Sequence, residues 1–135
     1  MSKKTPKIMI IDDDPDFIEA VSMILKSATY DVASVNSPKL VGEALAREEP
    51  DLILLDIMMD SLFDGFSLCN DIKTSPDYAA FHATPIIFVS AVKELTGSRF
   101  DLHEEGEGFK GPDAYLDKPV KPKELLKKIE ELLPK

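Results

Sequence analysis

The sequence predicts an α/β domain, with a mostly parallel sheet covered by helices on both faces. Three observations predict it. Short apolar runs alternate with longer segments of helical periodicity along the whole 135 residues. The run at 8–11 is apolar at every position, as a strand covered on both sides requires, and 52–55 is the most apolar of all. Four of the runs also lead into polar residues of different chemical kinds: Asp12, Asp13 and Asp14; Asp56; Ser90; and Asp117, Lys118 and Pro119. In parallel strands these endings share one sheet edge, outside the carboxyl ends of the strands, where open α/β sheets bind ligands.

Each element has its own signal. After the strand at 8–11, Asp14 is placed to cap a helix whose first position is Pro15, where a missing N–H costs nothing. Phe17, Ile18, Val21, Ile24 and Leu25 then recur at helical spacing and are expected to face the sheet. Residues 31–35 read as a more polar strand near an edge, and 52–55 as a central one. Ser37 and Pro38 open a second helix through Leu40, Val41, Ala44 and Leu45. A third runs from Gly65 to about Ser75, with Phe66, Cys69 and Ile72 as its buried residues. The fourth strand is 86–89 and the fifth 114–116. Pro122 starts a last helix with Leu125, Leu126, Ile129, Leu132 and Leu133 on its inner side. Between them, 96–113 holds four glycines and five acids and has room for a short fourth helix and a loop. The expected count is five strands and five helices, in one domain spanning 1–135.

Composition excludes several function classes. Twenty-five acids against sixteen bases give a net charge of −9, which argues against a nucleic-acid surface, because phosphate contacts need clustered Lys and Arg. A single cysteine, Cys69, rules out an internal disulfide and fits a reducing compartment. No run of eighteen apolar residues and no signal peptide is evident, so the expected address is the cytoplasm, without membrane insertion.

The strand endings carry the chemistry. Asp12, Asp13 and Asp56 brought within several Å repel one another, each pair by about 4 kcal/mol at 4 Å and an effective dielectric near 20. Protonation or a cation must relieve that. Hard oxygen ligands with room for water suit Mg²⁺. Asp56 is the candidate nucleophile, since a carboxylate attacking a phosphoryl group forms an acyl phosphate. Lys118 can supply an ammonium to the charge that spreads over the phosphoryl oxygens, and Ser90 a neutral hydroxyl donor. Asp14 is read as the helix cap alone.

The motifs IMIIDDDPD, LILLDIMM, IIFVSA and AYLDKP resemble, in order and spacing, those of the receiver domain of bacterial two-component response regulators, over essentially the whole chain. The resemblance implies a flavodoxin-like, doubly wound five-stranded sheet of order 2-1-3-4-5. It makes Asp56 the phosphoacceptor and Asp13 a direct Mg²⁺ ligand. Asp12 would act largely through a bound water, and the main-chain carbonyl of Met58 would complete the metal site. Ser90 becomes the hydroxyl that moves toward the phosphoryl group, Lys118 the ammonium, and Tyr115 the switch aromatic that turns inward on activation. Pro119 matches a Lys-Pro bond that is commonly cis, and Ala91 leaves room for phosphoryl access. Met58 and Val92 would flank the path of attacking water; both are apolar, which implies slow to moderate self-dephosphorylation.

Two departures stand out. Met59 is followed by Asp60 rather than proline, and Gly65 lies nine residues after Asp56 rather than eight. Ser90 and Lys118 are 28 residues apart, several more than is usual, and the excess falls in 96–113. His82 and His103 are expected at the surface, Cys69 as a small buried hydrophobe, and KPKELLKK as a solvated helix face. GEGFKG lacks a preceding strand and is not read as a nucleotide loop.

The expected function is two-component signalling by a phosphoacceptor that promotes its own phosphorylation and dephosphorylation and is not a conventional enzyme. Its phosphodonor would be a histidine kinase or a histidine phosphotransfer protein, its target an unknown downstream protein. It would act as a monomer or a phosphorylation-dependent dimer, with no output domain in this chain. A phosphorylation-independent interaction domain on the same fold is the alternative. A phosphatase of the haloacid dehalogenase type, with its nucleophile in an Asp-x-Asp motif on the first strand, is a third. It needs a further acidic motif after the lysine, where this sequence has only an amphipathic helix.

Overall fold

The computed structural model describes residues 5–56, 62–90, 112–118 and 120–133, apart from the side chains at 38, 62–66 and 90. Five strands form one all-parallel sheet: β1 (Lys7–Ile11), β2 (Asp31–Val35), β3 (Leu52–Asp56), β4 (Ile86–Ser90) and β5 (Ala114–Asp117). Their order is β2-β1-β3-β4-β5, the flavodoxin-like arrangement. The most apolar strand, β3, is central and the polar β2 is an edge, as the sequence predicts.

Side chains alternate across a strand, so each apolar run serves two cores. Met9, Ile11, Ile53, Leu55, Ile86 and Phe88 point to one face, where they meet α2 (Val41–Glu48) and α3 (Leu62–Thr74) through Val41, Ala44, Leu45, Leu68, Cys69 and Ile72. Ile8, Ile10, Leu52, Leu54, Ile87 and Val89 point to the other. There they meet Val21 and Leu25 of α1 (Pro15–Ser27) and Leu125 and Ile129 of α4 (Pro122–Leu132). Each such side chain removed from water contributes about 1.5–3 kcal/mol. Two faces must be filled, which is why the runs are continuous rather than alternating.

The helix ends fix where the strand termini point. Asp14 caps α1 by accepting the Asp16 N–H at 3.0 Å, with Pro15 in the first turn. At the other end, Thr29 N–H bonds Lys26 O and Tyr30 N–H bonds Leu25 O, the paired bonds of a Schellman closure. That closure holds Thr29 at φ 71°, an unfavourable conformation for a β-branched residue.

Several boundaries differ from the sequence reading. The segment from Ser37 opens with a 3₁₀ turn, Pro38–Leu40, because Ser37 O accepts Leu40 N–H at 3.1 Å before α2 begins. Helix α3 starts at Leu62, three residues ahead of Gly65; a helix tolerates an interior glycine at about 1 kcal/mol. A 3₁₀ segment, Pro76–Phe81, follows α3 and carries Tyr78 to α2, where a Cβ on Gly42 would stand 3.4 Å from the Tyr78 hydroxyl. His82 is half-buried rather than at the open surface, its Nε2–H donating to Ser75 O at 2.7 Å. Cys69 is fully buried as expected, and burial pushes its thiol up to about 12. Phe66's side chain, His103 and the expected fourth helix lie outside the described residues. No helix among the described residues is long and apolar enough to cross a membrane.

Candidate functional site

Register brings the strand endings together. Ile11 pairs with Leu55, so Asp12, one residue past β1, stands beside Asp56, the last residue of β3. Asp12 N–H extends the β1–β2 ladder by one bond, to Val35 O at 3.0 Å. Ser90 closes β4 and pairs in register with Asp117, which closes β5 just before Lys118. Lys118 therefore starts two strands from β3, about 10 Å away at about 4.8 Å per strand. Its side chain reaches back across β4, and its Nζ lies 2.9 Å from Asp12 Oδ2 and 3.6 Å from Asp56 Oδ2.

Ligand oxygens of Asp12, Asp13 and Asp56 lie within 4.8 Å of one another. At that distance each ionised pair repels by about 3 kcal/mol at an effective dielectric of 20. Asp12 is fully buried and Asp56 nearly so, while Asp13 is exposed. Burial holds the Asp12 carboxyl above the usual carboxylate range, and the charge of Asp56 adds to this; the Asp14 N–H and the Lys118 ammonium oppose it. Asp12 Oδ1 accepts the Asp14 N–H at 2.9 Å. Its buried Oδ2 lies 2.9 Å from the Lys118 ammonium. Three clustered carboxylates, two of them buried, are a donor set of hard oxygens that fits Mg²⁺.

The arrangement can offer a divalent cation three clustered carboxylates and present an ammonium to two of them, Asp12 and Asp56. Of the residues singled out in the sequence, Asp12, Asp13, Asp56 and Lys118 converge. Ser90 is at the same sheet edge by its backbone, and its side chain is outside the described residues. Tyr115 stands apart, half-buried on β5 with its ring edge-on to Phe88, centroids 5.8 Å apart at 78°. Met58, Met59, Asp60, Ala91, Val92 and Pro119 lie outside the described residues. The sequence reading missed a second role for Phe17, assigned there only to the buried face of α1. Its ring centroid is 4.2 Å from Lys118 Nζ. The available signal was its position: a ring in the first turn after an Asp run at a strand end stands beside that edge.

Comparison with known proteins establishes the family. Residues 8–130 match the family model of the response regulator receiver domain. The chain is 36% identical over 131 residues to the DNA-binding dual master transcriptional regulator RpaA of Synechocystis sp., covering 95% of this chain and 49% of that protein. It is 35% identical to the transcriptional regulatory protein GltR of Pseudomonas aeruginosa, covering 98% of this chain and 51% of the relative. The chain thus spans about half the length of these curated relatives. Among solved structures, a CheY-like response regulator receiver domain protein of Methanospirillum hungatei superposes with a TM-score of 0.74 at 28% identity, covering 95% of this chain and 93% of that one. This chain belongs to the response regulator receiver domain family, the phosphoacceptor module of two-component signal transduction.

Proposed function

We propose that residues 1–135 act as one receiver domain that accepts a phosphoryl group on Asp56 in a Mg²⁺-dependent reaction. The observation that carries this reading is a nearly buried Asp56 clustered with two further carboxylates, its Oδ2 3.6 Å from the Lys118 ammonium. Asp56 attacks phosphorus, a new O–P bond forms, and the P–N bond to a donor phosphohistidine breaks. The histidine belongs to a kinase or a phosphotransfer protein. Asp13, Asp56 and the Met58 carbonyl, with Asp12 largely through a bound water, would hold Mg²⁺, which would supply positive charge to the phosphoryl oxygens. Lys118 binds one of those oxygens and Ser90 donates its hydroxyl to another.

The output is a change in protein contacts. Tyr115 lines a groove of about 370 Å³ between β5 and α4, together with Glu124, Lys127, Lys128 and Glu131. A ring that turns inward when Ser90 shifts reshapes that groove, so phosphorylation biases two states with different partner surfaces. The partner is a protein, and the setting is the cytoplasm.

The test is intact mass after treatment with acetyl phosphate, with and without Mg²⁺, on the wild type and Asp56→Asn. A single Mg²⁺-dependent addition of about 80 Da, absent from the variant, is expected. No addition to a folded wild-type protein would favour an interaction domain that works without phosphorylation. Turnover of a phosphate ester that survives Asp56→Asn but not Asp12→Asn would point to the phosphatase.

A further inference from the structure

We propose that Phe17 is a positioning residue for Lys118, its ring holding the ammonium in place over the carboxylate cluster. This rests on the phosphoacceptor reading above. Lys118 Nζ is in contact with three groups at once: Asp12 Oδ2 at 2.9 Å, Asp56 Oδ2 at 3.6 Å and the Phe17 ring centroid at 4.2 Å. The lysine side chain is only 17% exposed, a setting in which the ring quadrupole attracts a cation more strongly than in open water.

Phe17 is itself held. Asp14 and Pro15 fix the first turn of α1, and Phe17 packs against the core formed by Val21, Leu25 and the sheet. Such a platform restrains a four-carbon stem whose rotamer freedom would otherwise let the ammonium swing into solvent. It also does so without adding charge. A fourth carboxylate would hold the lysine as well, but it would repel the phosphoryl group that Asp56 must receive. An aromatic face attracts the ammonium and leaves the charge balance of the cluster untouched, so the group is preorganised where charge develops.

The experiment compares Phe17→Leu, which keeps apolar bulk and loses the ring, with Phe17→Tyr, which keeps the ring. Thermal unfolding of each variant is checked first, and the initial rate of acetyl phosphate-driven phosphorylation is then measured at saturating Mg²⁺. A cation–π contact of this kind is expected to slow Phe17→Leu by about fivefold, with Phe17→Tyr close to wild type. Wild-type speed in a folded Phe17→Leu, or equal slowing in both variants, overturns the proposal, because the position would then matter for packing alone. A second measurement needs neither a phosphodonor nor the leucine variant. The Lys118 ε-methylene protons should resonate upfield in the wild type through the ring current of Phe17; resonance at the position of a solvent-exposed lysine overturns the proposal. If the wild type accepts no phosphoryl group while the ring-current shift is present, the function proposed for Asp56 fails and the contact stands.

Discussion

The two ends of the sheet use the same side chains to opposite effect. At the end where the strands begin, acids find donors. Asp113 Oδ2 accepts the Ile86 N–H at 2.8 Å and pairs with Lys73 Nζ at 2.9 Å, tying α3 to the first residues of β4 and β5. Asp51 Oδ2 accepts the Lys7 N–H at 2.7 Å, and Lys7 Nζ pairs with Glu48 at 2.9 Å. At the end where the strands finish, Asp12, Asp13 and Asp56 crowd around the one ammonium that the described ion pairs bring to them, Lys118. Burial there holds the Asp12 carboxyl above its ordinary pKa despite that ammonium. Residue type does not separate the two ends. Charge balance does: a matched end fastens the fold, and an end with excess negative charge is built to receive a cation.

The largest effect that would break this comparison belongs to the matched end. Asp113→Ala removes the acceptor for a β4 N–H and the partner of Lys73, whose side chain is only 12% exposed. Loss of about 2–3 kcal/mol is expected in urea unfolding, with Asp113→Asn losing less because it can still accept the Ile86 bond. An Asp113→Ala variant as stable as wild type would show that this end does not fasten the fold.

At the other end the same kind of change should have the opposite sign. Asp12→Asn keeps an oxygen for the Asp14 N–H and leaves Lys118 its contact with Asp56, while removing one buried charge from the cluster. Without Mg²⁺ at pH 7 the variant is expected to be more stable by about 1–2 kcal/mol. Added Mg²⁺ should stabilise the wild type and have little effect on the variant, since binding to the native state alone raises its stability. Destabilisation by Asp12→Asn would mean that the Lys118 pair outweighs the repulsion.

The two ends were also unequally legible. Asp12, Asp13, Asp56 and Lys118 were legible because each lies within two residues of the end of an apolar run, and period and order alone place strand ends at one edge. The parallel sheet covered on both faces followed from the same runs, whereas the strand order came only with the resemblance to receiver domains. Asp113 and Lys73, 40 residues apart, gave no such signal; their meeting depends on how α3 lies along β4 and β5. The 3₁₀ segment Pro76–Phe81 escaped because its pattern is too short for periodicity, and α3 began early because Gly65 looked like an opening rather than an interior residue. Phe17 was read correctly as facing the sheet and was missed as a site residue, because helical spacing reports which face a ring occupies but not which cation reaches it.

The finest distinction between the ends is in their pH dependence. Asp12's folded pKa lies above its ordinary value of 3.8, chiefly through burial. Above the folded value the carboxylate is ionised in both states, and the native state carries the full penalty. As pH falls through that value the native state takes up the proton first, so stability rises, and the gain is complete below the unfolded value. Glu48 behaves in the opposite way: Lys7 and then Arg47 hold its pKa down, so its contribution is lost as pH falls. Subtracting Asp12→Asn from wild type isolates the first effect. The stability gap between the two proteins, without Mg²⁺, should narrow from its value at pH 7 to under about 0.5 kcal/mol as the pH falls towards 4. Saturating Mg²⁺ at pH 7 should narrow it from the other side, by neutralising the charge rather than protonating it. A gap that stays constant from pH 7 to 4 would mean that Asn is favoured at position 12 for its shape or hydrogen bonds, and that excess charge is not what sets this end of the sheet apart.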